Sequence, residues 1–174
     1  MRLIEYRLAR QYRPVLDRVG LVMDQAARMI AQRERRGLGE VEIAVTVTDG
    51  IPDLICAAHE QLFGTSDWDA HAGPGRYGTA TLNSAGTLVI VNAESLRGNR
   101  TEIDKTVLHE LTHAAQFNRP GARESALKAI AHNCYGIGWL SDREMRSFGR
   151  RVQSDERGAE AAERLHRQLA RAVA

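Results

Sequence analysis

Cysteine is nearly missing: Cys56 and Cys134 are the only two in 174 residues. Two isolated thiols build no disulfide framework, and neither has the C-x-x-C spacing of a thiolate metal site. Both fall in helical stretches and read as small core residues. Long apolar runs are missing too. Nothing approaches the about 20 consecutive apolar residues that cross a bilayer, and Met1 to Arg10 carries a charge every few positions where a secretion signal would be apolar. The expected compartment is therefore the cytoplasm, with no membrane partner. Excess charge of either sign is small: 24 Lys plus Arg against 22 Asp plus Glu leave +2. That field is too weak to imply a nucleic-acid partner. Lysine is scarce within the total, 2 against 22 arginines, a bias that fits GC-rich coding better than function. What remains, 43% hydrophobic and 26% charged residues, is the composition of a globular chain, and 1–174 is expected to form one domain.

Hydrophobic spacing sets the element order. Pro14 opens a helix whose Leu16, Val19, Met23, Ala26 and Ile30 recur at helical spacing, with Gly37 and Gly39 beyond its end. Glu40 to Thr48 alternates and is rich in Val, Ile and Thr, which predicts a strand. Ile51-Pro52-Asp53 starts a second helix that Gly64 closes. Residues 64–76 form the longest loop and contain Trp68 and His71; His71 reads as a solvated loop histidine. Tyr77–Leu82 and Thr87–Asn92 flank Asn83-Ser84-Ala85-Gly86 as a hairpin. Leu88-Val89-Ile90-Val91 is apolar throughout, so that strand is expected to be buried on both faces. Helices are predicted over 101–117, 122–134, 142–153 and 154–172.

The chemistry is concentrated in His109-Glu110-Leu111-Thr112-His113. Residues four apart on a helix share a face, because four is just over one turn of 3.6. Two imidazoles so placed can fill two corners of a zinc tetrahedron, and Glu110, about 100° round, can reach zinc's water without ligating the metal. Thr106-Val107-Leu108 before the motif and Ala114-Ala115 after it are uncharged. Leu108, Leu111 and Ala115 give the helix a buried face.

Thr106 to Ala115 resembles the extended signature of the zincin metallopeptidases. The element order is similar to that of the gluzincin group, including the catalytic core of the CAAX-prenyl-protease-like peptidases. The resemblance covers roughly 77–165. It implies an α+β minimal zincin fold: a small mixed sheet with an edge hairpin packed on the motif helix, followed by a helical C-terminal part. In that group a strand beginning Asn-Ala-Phe-Ala lies at the sheet edge, where this chain has Gly78-Thr79-Ala80-Thr81. An exposed edge at Gly78–Leu82 could add a peptide or protein substrate as an extra strand.

A catalytic zinc usually takes three protein ligands plus water. The metzincin pattern fails, since Gln116 and Arg119 stand where it needs Gly and His. Glu156-Arg157-Gly158-Ala159-Glu160 resembles the gluzincin pattern, which makes Glu156 the ligand and Glu160 the acid that holds a metal histidine. Met145, Phe148, Val152, Glu156 and Ala159 share one stripe, so a continuous helix would turn Glu156 inward, whereas a helix starting at a Ser154 cap would leave it a solvated first-turn acid. The rival ligand is His132, in a segment similar to the Asp-x-x-Tyr-Gly of aspzincins. The expected function is thus a zinc metallopeptidase: Zn²⁺ on His109, His113 and Glu156, Glu110 as general base, and Tyr135 as the side-chain donor to the oxyanion. The alternatives are a catalytically inactive zincin-fold binding or regulatory module, and a toxin or effector protease with one protein target.

Overall fold

The computed structural model describes residues 1–65 and 77–174; the expectations for Trp68 and His71 lie outside them. The elements are β1 (Arg2–Glu5), α1 (Arg13–Glu34), β2 (Val41–Thr46), α2 (Gly50–Phe63), β3 (Gly78–Leu82), β4 (Thr87–Asn92), α3 (Arg100–Phe117), α4 (Ala122–Tyr135), α5 (Asp142–Ala162) and α6 (His166–Ala172). The class is α+β, with a helical C-terminal part, as expected. The strands form one mixed sheet in the order β1-β2-β4-β3, parallel except for β3, which runs antiparallel to β4. β3 is therefore an edge strand.

β4 explains why the sheet needs helices on both sides. Val89 and Val91 pack with α1 and α3, while Leu88 and Ile90 pack with Ile51 and Ile55 of α2. All four are almost fully buried, which accounts for an apolar run with no alternation. β1 is the strand that periodicity did not reveal. Its four residues put only Leu3 and Ile4 inward, between the charged Arg2 and Glu5. Arg2 binds Glu42 across the strand pair, so the charges that hid the strand also protect a sheet edge.

α1 begins with Pro14 in its first turn and ends at Arg35, which takes the left-handed conformation at φ 51°, ahead of the glycines. Its buried stripe is Val15, Leu16, Val19, Val22, Ala26 and Ile30. Arg18 crosses from α1 to grip buried Asp104 of α3 through two bonds, Nε to Oδ1 at 2.8 Å and Nη2 to Oδ2 at 2.6 Å. α3 is capped by Asn99, whose Oδ1 accepts from the Glu102 backbone N–H at 3.1 Å, and it buries Val107, Leu108, Leu111, Ala114 and Ala115.

Beyond residue 141 the chain differs from the expected two helices. Ser141 and Glu144 form a capping box, and α5 then runs unbroken through Ser154 to Ala162. The true cap sits at Ser141, so Ser154 is mid-helix and Glu156 is nowhere near a helix start. A 3-10 turn, Glu163–Leu165, joins α5 to α6. α5 packs against α3 through Ala159 and Ala162, both fully buried. Small residues there let the two helices approach closely, which sets the scale of the site between them.

Candidate metal centre

His109 and His113 occupy successive turns of α3 and turn their rings to the same side. Their Nε2 atoms are 3.2 Å apart. Glu156 reaches across from α5, with Oε2 at 3.6 Å from His109 Nε2 and Oε1 at 3.5 Å from His113 Nε2. Among the described residues these three alone form a group able to hold a metal ion, with ligand atoms within 4.8 Å of one another. A tetrahedral ion with metal–nitrogen bonds of about 2.0–2.1 Å places its ligand atoms about 3.3 Å apart. The observed separations match that spacing.

The far side of each ring strengthens the fit. His109 Nδ1 lies 2.9 Å from Glu163 Oε1, and His113 Nδ1 lies 2.7 Å from Gln116 Oε1. Carboxylate and amide oxygens can only accept, so each Nδ1 carries the proton and donates it. In the neutral rings both Nε2 lone pairs then point into the space that Glu156 also faces. Two lone pairs and a carboxylate converging at this range repel one another unless a cation lies among them. The donor set, two imidazoles and one carboxylate, is one that divalent transition metals accept.

Gln116 has a second bond: its Nε2 donates to the Asp155 carbonyl at 2.8 Å. One buried amide thus ties the His113 ring to the residue preceding Glu156. Arg119 adds an ion pair with Asp155 at 2.7 Å. Burial is the largest influence on His113 and pushes its imidazole below the ordinary histidine value, while Glu156 pulls the other way. The ring is therefore held neutral, as a ligand must be.

Glu110 is buried on the same helix and lies against the edge strand. A Cβ placed on Gly78 would come within 3.1 Å of Glu110 Oε1, 2.8 Å of Thr106 Cγ2 and 2.9 Å of the Ile90 carbonyl. Glycine at the start of β3 is what lets the strand and the Glu110 carboxylate share this space. The cleft that contains the group has a volume of about 780 Å³ and is bordered by Gly78–Thr81 on one side and by α4 and α5 on the other. That size suits an extended ligand.

Of the candidates read from sequence, His109, Glu110, His113 and Glu156 come together. His132 does not; its Nδ1 lies 3.3 Å from the Gly138 carbonyl at the end of α4. Tyr135 stands apart as well. Its hydroxyl is 2.8 Å from Nδ1 of buried His59, whose Nε2 meets Thr81 Oγ1 at 2.9 Å. Burial raises the Tyr135 phenol to about 12. It joins α4 to α2 and is absent from the cleft lining. Glu160 is exposed, and Glu163 takes the place expected of it. Two signals pointed there: Glu163 is seven residues, or two turns, beyond Glu156, and Gln116 is three beyond His113. The first required α5 to be continuous; the second lies wholly within α3. No family model, curated protein or solved structure matches this chain.

Proposed function

We propose that the protein is a zinc-dependent metallopeptidase of the zincin type, with its ligands arranged as in gluzincins. The observation that carries this is the convergence of His109 Nε2, His113 Nε2 and both Glu156 oxygens, with each Nδ1 already donating elsewhere. A structural site would have no use for a buried carboxylate at position 110, next to that group yet outside it. When bound, zinc supplies a water acidified toward a pKa of about 7 and polarises the carbonyl under attack.

The chain's own residues then divide the work. His109, His113 and Glu156 hold the ion. Glu163 and Gln116 fix the two rings, so that Nε2 is the free nitrogen in each. Glu110 accepts a proton at its carboxylate and passes it to the departing amine nitrogen. Among the described residues β3 is hydrogen-bonded as a strand to β4 alone, so its other edge offers backbone N–H and C=O groups to an extended peptide. Gly78 keeps that edge close to Glu110. Tyr135 is given no part in the reaction, because it does not line the cleft.

The test is cleavage of a mixed peptide library by zinc-loaded protein, read by mass spectrometry. Internal cleavage that stops on chelation and returns with zinc is the expected result. Zinc binding with no cleavage of any peptide or candidate protein would favour the inactive binding module instead.

A further inference from the structure

The charges lining the cleft are almost all spoken for. Glu102 is paired with Lys105 at 2.6 Å and Asp155 with Arg119 at 2.7 Å. Glu156 faces the two histidines and Glu163 holds His109. Arg151 is the exception: it lines the cleft from α5, is exposed, and has no ion pair among the described residues. It precedes Asp155 by one helical turn, on the flank of α5 that also brings Phe148 to the cleft. Val152, one turn before Glu156, is an apolar side chain 40% exposed on the same wall. The cleft therefore runs from the metal group over apolar surface to an unmatched guanidinium.

We infer that Arg151 reads a carboxylate on the substrate, so that the cleft selects peptides carrying a negative charge close to the bond that is cut. This rests on the metallopeptidase reading and names its substrate class. Arg151 lies five residues before Glu156, about 7.5 Å along the helix axis at 1.5 Å per residue. Guanidinium and carboxylate match as a two-pronged pair, and the apolar wall between them lowers the competition from water. The carboxylate has two sources, an Asp or Glu side chain or the free C-terminus of a short peptide.

The experiment uses zinc-loaded full-length protein and hexapeptide pairs that differ only as Glu against Gln at each position, or as free acid against C-terminal amide. Wild type is expected to favour one charged member by about tenfold or more in kcat/KM. The Glu/Gln pairs and the acid/amide pairs separate the two sources. Arg151→Gln should erase the ratio, and Arg151→Glu should invert it toward Lys-containing peptides, with zinc stoichiometry retained in both. In parallel, fluorescein-labelled versions of the same pairs are titrated onto zinc-loaded Glu110→Gln protein by anisotropy. Cleavage without any charge preference overturns the carboxylate reading and leaves the peptidase standing. Charge-selective binding that Arg151→Glu abolishes, without cleavage by wild type, does the reverse. Neither cleavage nor selective binding overturns both.

Discussion

Gln116→Ala removes a side chain that is 3% exposed and makes two bonds at once. The first, from His113 Nδ1 at 2.7 Å, holds a ring of the candidate metal group; the second, to the Asp155 carbonyl at 2.8 Å, holds α5 against α3. Each bond contributes about 1 kcal/mol net, and the partners left unsatisfied cost a further 1–3 kcal/mol in total, roughly. Unfolding of the metal-free protein in urea should therefore show a loss of about 3–5 kcal/mol. Zinc affinity, measured by competition with a chelator, should fall by about 10- to 100-fold, because the ring loses the partner that fixes its tautomer. Gln116→Glu separates the two roles. A carboxylate still accepts from His113, so zinc affinity is held or raised, but two oxygens then face each other at Asp155 and stability falls. If Gln116→Ala binds zinc as tightly as wild type, the amide does not position His113. If Gln116→Glu is as stable as wild type, the bond to Asp155 does not join the helices.

Other perturbations bear on separate parts of the structure. Asp104→Ala leaves a largely buried Arg18 guanidinium without its partner and should cost about 3–5 kcal/mol; an urea midpoint close to wild type would contradict the pairing. Gly78→Ala forces a Cβ against Thr106, Ile90 and Glu110, so hydrolysis should drop by about tenfold or more with zinc retained. Unchanged kcat would show that the strand yields freely. Burial lowers the His59 imidazole below its ordinary value, so the folded protein keeps it neutral while the unfolded chain takes up a proton near pH 6.5, roughly. Its contribution is full above that pH and is lost as pH falls toward the folded value. The stability gap between wild type and His59→Gln should thus shrink on going from about pH 7.5 to about 5.5. A gap that widens on acidification would reverse the assignment.

How much was legible depended on whether the signal was local. The i, i+4 histidines, the hairpin and the apolar β4 are fixed by neighbours a few residues away, and each is legible in the sequence. β1 was invisible because an edge strand needs only Leu3 and Ile4 inward, and its stability comes from pairing with β2, about forty residues on. The Glu163 partner of His109 was hidden by one boundary. Ser154-Asp155-Glu156 reads as a capped helix start, yet the Ser141–Glu144 box had already begun the helix. With α5 continuous, Glu156 turns toward α3, and Glu163 replaces Glu160 beside His109. The sequence offers Tyr135 as an oxyanion donor with no sight of its neighbours in space. What occupies its hydroxyl is His59, 76 residues away, and no spacing rule links the two.

Glu110 is proposed as the group that moves the proton without holding the metal. Its most direct test is Glu110→Gln, assayed for zinc content and for the rate of cleavage of the best library peptide. The expected result is one zinc per chain, as in wild type, with kcat lower by about 10²- to 10⁴-fold. Hydrolysis at the wild-type rate, or loss of zinc from the variant, would contradict the assignment.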